Sequence, residues 1–519
     1  MPPTEIPNPQ RFFGDDPVFA GALPSPKSRT LGDTFQHVVV LQLENRAFDH
    51  MLGYLYPSGS TFNGVADKNL SNPIPSYAPE SNRGPISVSK ATTLQTPILD
   101  PAEQYTAVNL ALYNQFNPPS NQFVTEEPKF LAPFNLPDGG AYSPAPMSGF
   151  VTSFYWRLLS MKKPAAYADY STIMQCFPPS LVPVISQLAQ GFAVCDNWHC
   201  GIPSQTYCNR SLFHAASSSG FLVNSPATNW ILHNNAPTVF DSLSQASRSW
   251  TIYYDILDAV VATRFINYPT MKKYSRLSDH FKDMSGFYDD VEKGRLPDYS
   301  FVQPRFVLST NSYHPDKGAP AIKRGEVLLN DVYQAIRQSN NPSGSNYLNT
   351  LFVITFDEGG TCYDHVVPPA AVPPGDTNPD QNQYGFKFDR LGQRIPTILI
   401  SPWLAAGTVI NTPLDANSLI KSLEEKFGLP ALNQRDAAST SLLNIPVLAV
   451  PRSRAEMPRL LVRKLSPAEA ASDASSPMGE MAEGLVLLAH AAQTGRDEMP
   501  PGVVSVQDAL DFLAPHASL

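Results

Sequence analysis

The chain has 519 residues, 42% of them hydrophobic, with a formal net charge of −9. That length fits one large α/β domain with insertions, or two domains, rather than one small core. The acidic balance speaks against a nucleic-acid binder held by counterion release, and no apolar run reaches the ~18 residues of a membrane-spanning helix.

Proline is abundant, at 51 residues, about twice the usual ~5%. It is spread along the chain, which indicates long ordered loops over a rigid scaffold. The opening stretch MPPTEIPNPQRFFGDD lacks the charged-then-apolar pattern of an export signal. The expectation is a cytoplasmic protein, or a secreted or periplasmic one if the N-terminus is a processed form. Five cysteines (Cys176, Cys195, Cys200, Cys208 and Cys362) do not make the two pairs of a zinc ribbon. They are expected to be buried thiols, with one disulfide allowed.

Six short runs read as buried parallel strands, nearly continuous in apolar and β-branched residues. In chain order they are HVVVLQL (37–43), FAVCDNW (192–198), SWTIYYD (249–255), YSFVQP (299–304), LFVITFD (351–357) and TILIS (397–401). Helical spacing appears at LVPVISQLAQG (181–191), GEVLLNDVYQAIRQS (325–339) and NSLIKSLEEKFG (417–428). Alternating strands and helices predict a three-layer α/β sandwich around a mostly parallel sheet. Residues 56–150, rich in Pro, Ser, Asn and Gly, read as a loop-rich insertion near the mouth of a site. The division expected is a domain over 1–451 and a C-terminal linker and helical arm over 452–519. Helices are predicted near 478–493 and 505–513. Leu485, Leu487 and Leu488 of that arm are free to pack on the domain or on a second copy of the chain.

Ligands of open α/β sheets bind outside the carboxyl ends of the strands. The residues that follow the strands are therefore informative. Glu44 and Asn45 follow the first strand, and Asp357 and Glu358 follow the fifth. Ser204, Thr206, Asn209 and Arg210 lie just beyond the second, and His314 and Asp316 follow the fourth at a distance. One strand-end acid is more often a helix cap or a loop anchor than a ligand. Several that converge at one sheet edge repel unless a cation neutralises them. An oxygen-rich set suits Mg, Ca, Mn or Fe better than a thiolate-loving metal.

Whole segments then carry a resemblance. HVVVLQLENRAFDHMLG, MQCFPPSLVPVISQLAQGFAVCDNWHCGIPSQTYCNRS, GRLPDYSFVQPRF, FVITFDEGGTCYDHVVPP, FDRLGQRIPTILISPW and FGLPALNQRDAAS follow one another. They resemble, in that order, the motifs of the bacterial and plant phosphoesterase family. That family includes phosphatidylcholine-type phospholipases C and related acid phosphatases, on an alkaline-phosphatase-like fold. The resemblance implies hydrolysis of a small phosphate ester or a phospholipid. It implies one divalent metal ion (Mg, Ca, Mn, Fe or Zn) held by Glu44, Asn45, Asp357, Glu358 and Thr206. Thr206 would be the nucleophile that forms a phospho-enzyme. His314 would contact phosphate or protonate the leaving group, and Asn209 and Arg210 would hold the turn or contact phosphate. Asp49, His50, Asp364 and His365 are read as architecture around these groups, and Cys208, where the family has proline, as packing.

Three positions depart from the pattern, each where the family has histidine: Glu103 in DPAE, Gly359 in DEGGT and Ala416 in DANS. Glu103 is counted among the substrate-binding residues. Fewer imidazoles leave two alternatives: an enzyme that transfers or cleaves a phosphorus-containing group of a specialised metabolite, or a non-catalytic scaffold. A homo-oligomer formed through the arm also remains open.

Overall fold

The computed structural model describes residues 29–115, 144–275, 278–377, 382–470 and 474–518. One eight-stranded sheet organises the chain. Its strands are β1 His37–Leu43, β2 Ala193–Cys195, β3 Trp250–Tyr254, β4 Phe281–Asp283, β5 Tyr299–Val302, β6 Thr350–Phe356, β7 Thr397–Ile400 and β8 Thr408–Ile410. They lie in the order β8-β2-β7-β6-β1-β5-β3-β4. All pairings are parallel except those of β7, which runs antiparallel to both β6 and β2.

The six runs read from the sequence are all strands of this sheet. TILIS is corrected in one respect: it forms the reversed strand β7. β4 and β8 escape a sequence reading because three residues are too few to show a period. Val38–Leu43 and all seven residues of β6 are buried. Successive strand residues point to opposite faces, so both faces of the sheet are covered and the fold has three layers.

The helices used below are α1 Tyr105–Tyr113, α2 Phe150–Ser160, α3 Pro183–Gly191, α4 Thr206–Ala215, α5 Gly318–Gln338, α6 Ser418–Phe427, α7 Glu480–Thr494 and α8 Val506–Leu513. α5 buries Leu328, Leu329, Val332, Tyr333 and Ile336 along one stripe. Its Glu326 accepts hydrogen bonds from the Val184 (2.6 Å) and Ile185 (3.0 Å) amides at the start of α3. That carboxylate satisfies donors which the first turn of a helix leaves open.

Two expectations change. The insertion 56–150 contains α1, a helix with eight of its nine residues buried; residues 116–143 of that segment lie outside the described residues. A helix buried nearly all round has no apolar stripe to betray it. The five cysteines are all free and buried, so the allowed disulfide is absent. Of the two partners left open for the arm, Leu485 and Leu488 take their own domain. They are fully buried, and α7 packs on segments Ala262–Ile266 and Asn229–His233. Among the described residues no helix is long and apolar enough to cross a membrane.

Arg394 ties three strand connections together below the site. Its Nη2 donates to Asp49 Oδ1 (2.9 Å), beyond β1, and its Nε to both Asp364 oxygens (3.1 Å each), beyond β6. Its Nη1 donates to the Asp196 carbonyl (2.7 Å), beyond β2. Removing one partner of a buried ion pair strands the other charge at a cost of about 3–5 kcal/mol. Arg394→Met is therefore expected to lower the unfolding free energy by about that amount, read from the urea midpoint and slope.

Candidate active site

The site grows from the register of β1 against β6. Leu43 pairs with Phe356, so the next residues, Glu44 and Asp357, emerge side by side at the carboxyl edge of the sheet. The chain turns sharply at Asn45, which has a positive φ of 54°, a conformation that asparagine tolerates better than most residues. The turn points the Asn45 amide at Asp357 Oδ1 (3.0 Å). Gly360 is required opposite: its φ is +57°, and a Cβ there would lie 2.8 Å from the Asn45 carbonyl oxygen.

Glu44, Glu103, Asp357 and Glu358 are each no more than 2% exposed. One guanidinium, Arg210, faces them, with its Nε 3.0 Å from Asp357 Oδ2 and its Nη2 3.9 Å from Glu44 Oε1. Glu103 accepts hydrogen bonds from the side-chain amides of Asn45 and Gln205. Burial pushes Glu44 up to about 7 against the pull of His314 and Arg210. Burial, then the charges of Glu103 and Asp357, hold Glu358 well above the carboxylate range. Burial also raises Asp357, with Arg210 opposing.

Thr206 opens α4. It reaches the site because the loop after β2 is pinned. Asn209 accepts from the Ile202 amide (3.0 Å) and donates to the carbonyls of Ser204 (2.7 Å) and Gln205 (3.2 Å). Asn209 is thus committed to the turn. Arg210 is committed to Asp357 and to Gln42 Oε1 (3.3 Å) and does not line the cavity. Cys208 is fully buried, and burial raises its thiol well above the ordinary range, which leaves it inert.

A cavity of about 310 Å³ opens over these groups, lined by Glu44, Glu103, Thr206, Tyr207, His314 and Glu480 among others. His314 Nδ1 is held by Asp316 Oδ1 at 2.8 Å. Burial opposes a charge on His314, but Asp316, Asp100 and Glu44 outweigh it and hold the imidazole protonated well above its usual range. Asp100 and Glu480, which group with His314, went unread in the sequence. Asp100 precedes Glu103 in the DPAE stretch, which points to it once quoted. Glu480 comes from the arm, and no spacing rule connects it to strand ends more than a hundred residues away.

The metal suggested by the family fits the residues present. Glu44 Oε1, Asn45 Oδ1 and Glu358 Oε1 are buried oxygens with no hydrogen-bond partner. Buried polar atoms are rarely left so, and an oxygen-loving cation is the kind of partner such atoms lack. At the departures, the space beside Gly359 is taken: a Cβ there would meet Gln393 Oε1 at 2.9 Å. Ala416 is buried, with its amide bonded to the His199 carbonyl (3.1 Å).

The phosphoesterase family model matches residues 35–430. Non-specific phospholipase C3 of Arabidopsis thaliana is 32% identical over 415 residues, 77% of this chain and 71% of its own. Non-specific phospholipase C4 of the same plant is 30% identical over 474 residues, 87% of this chain and 79% of its own. Non-hemolytic phospholipase C of Burkholderia pseudomallei is 26% identical over 470 residues, 79% of this chain and 58% of its own. The chain is thus a hydrolase acting on phosphoric ester bonds. The chain belongs to the phosphoesterase family.

Ion binding to this cluster must displace protons. A divalent ion added to chelator-treated protein is expected to bind more weakly as the pH falls below about 7, where Glu44 takes up a proton. Calorimetry in buffers of different ionisation enthalpy reads the released protons. Asp357→Ala is expected to lose bound metal while its circular dichroism stays native; undiminished metal content would sink the ligand assignment.

Proposed function

We propose that the chain is a metal-dependent phosphoesterase of the phospholipase C or acid phosphatase type, with Thr206 as nucleophile. One observation carries this reading. Thr206 lines the cavity with Glu44, directly over a buried excess of carboxylates that has unpartnered oxygens. Glu44, Asn45, Asp357 and Glu358 would hold the ion, with Thr206 beside it. When bound, the ion favours the alkoxide of a nearby hydroxyl and offsets charge on phosphoryl oxygens.

The chain's own groups supply the rest. Thr206 Oγ1 forms a bond to phosphorus, and the ester oxygen departs with the bonding electrons. His314, protonated and fixed through Asp316, stands at the same cavity to contact the phosphoryl oxygens or to donate the proton that the leaving oxygen needs. Water then attacks the phospho-threonine, phosphate or a phosphomonoester leaves, and Oγ1 regains its proton. Arg210 opposes protonation of Asp357 and orients it, and the first turn of α4 presents its positive end to the anion. A cavity of about 310 Å³ suits a phosphorylated headgroup, with the apolar part of a lipid left outside. The relatives are phospholipases C by name, which supports a phospholipid as substrate.

Thr206→Ala is expected to lower turnover of a phosphocholine diester or a chromogenic phosphate monoester at least ~10³-fold, with bound metal retained. Thr206→Ser should keep measurable turnover. His314→Ala is expected to lose about 10²–10⁴-fold. The preferred ester distinguishes phospholipase from phosphatase, and full activity in Thr206→Ala would overturn the nucleophile.

A further inference from the structure

Among the described residues, two clusters outside the ligand set above bring a histidine and two carboxylates together. In both, the ligand atoms lie within 4.8 Å of one another. The first is Asp49, Asp364 and His365. Arg394 already stands among them, 2.6 Å from Asp364 Oδ1 and 2.9 Å from Asp49 Oδ1, so that cluster has its cation. The second is Asp100, His314 and Glu480, and its charge balance is different.

Asp100 and His314 are each only 4% exposed. The guanidinium of Arg157 reaches Asp100 at Oδ2 alone, at 3.8 Å, and that of Arg46 acts on it only through its charge. Asp100 Oδ1 is buried with no hydrogen-bond partner. Glu103, buried and lining the same cavity as His314 and Glu480, adds a further carboxylate beside this group. His314 is oriented by a carboxylate on Nδ1, as metal-bound histidines commonly are, with the other nitrogen left for a ligand.

The third group is delivered by a docked arm. The Glu480 backbone lies close enough to Asp316 to lower its pKa, and Lys317 Nζ donates to the Pro477 carbonyl (3.1 Å). A Cβ at Gly479 would fall 2.3 Å from Asp316 Oδ2, and one at Gly484 would fall 1.9 Å from the Tyr207 hydroxyl. Only glycine lets α7 approach so closely, and this approach carries the Glu480 carboxylate into the cavity.

We propose that Asp100, His314 and Glu480 form a second divalent-cation site, with ligands distinct from Glu44, Asn45, Asp357 and Glu358. One imidazole and two carboxylates suit Mn²⁺ or Zn²⁺. Bound there, the ion would face the phosphate as a positive charge, with His314 as its ligand; without it, His314 keeps the role given above. The C-terminal arm thereby becomes a component of the active site, because without Glu480 the ligand set is incomplete.

Manganese(II) is titrated into chelator-stripped full-length protein, and the ions bound per chain are counted by calorimetry and by the electron paramagnetic resonance of the free ion. Two ions in the wild type, one in Glu480→Gln and one in Asp357→Ala are expected. Glu480 is partly exposed, so its replacement leaves the fold intact, which circular dichroism checks; Asp100→Asn, a second variant, should also bind one. One ion in both wild type and Glu480→Gln overturns the second site, and loss of that ion in Asp357→Ala then upholds the first. One ion in wild type and Asp357→Ala, with none in Glu480→Gln, supports this site and overturns the first instead. No ion in the wild type overturns both.

Discussion

Buried negative charge at the carboxyl edge of the sheet is the constraint from which this site follows. Glu44, Glu103, Asp357 and Glu358 are all withdrawn from water, and the opposing charges are His314, acting on Glu44, and the guanidinium of Arg210. Carboxylates in that setting either take up protons or gather a cation. The raised pKa values of Glu44, Asp357 and Glu358 are the metal-free expression of the first course. Unpartnered oxygens on Glu44, Asn45 and Glu358 leave room for the second. Neutralising a phosphoryl group takes a cation, and the carboxylates that follow the central strands β1 and β6 are placed to gather one.

The Arg394 cluster shows the structural counterpart. There the same residue types meet around a guanidinium that donates to Asp49, Asp364 and two backbone carbonyls. Every charge has a fixed partner, and the result is a clasp between strand connections. The groups above it lack that closure. Arg210 satisfies Asp357 and touches Glu44 only at 3.9 Å, so the balance stays negative and the site stays receptive. Arg394 and Arg210 thus separate architecture from chemistry by how completely each answers the acids around it.

The replacement of a family histidine by Glu103 gains meaning here. Its carboxylate binds Asn45 and Gln205, next to Thr206. It also raises both Glu358 and Glu480, so it adds to the negative charge on two sides of the cavity. At Gly359 the departure is steric as well, since Gln393 fills the adjoining space and is held by the Cys362 carbonyl (2.8 Å).

The central strands, the Glu44–Asn45 and Asp357–Glu358 pairs that follow β1 and β6, the Thr206 turn and the family were all legible in the sequence. Each is local: continuous apolar runs mark strands buried on both faces, and a polar residue directly after such a run has to emerge at the sheet edge. Other features depended on long-range packing. The reversal of β7 is set by its neighbours, not by its own TILI. α1 hides because it is buried all round, and Asn209 is drawn into the turn by backbone groups that only the folded loop brings near. The arrival of Glu480 beside Asp100 and His314 is the clearest case. Nothing in the local sequence joins residues so far apart. Two glycine contacts and the buried face of α7 decide it, because only a packed tertiary structure can convert distance along the chain into a shared cavity.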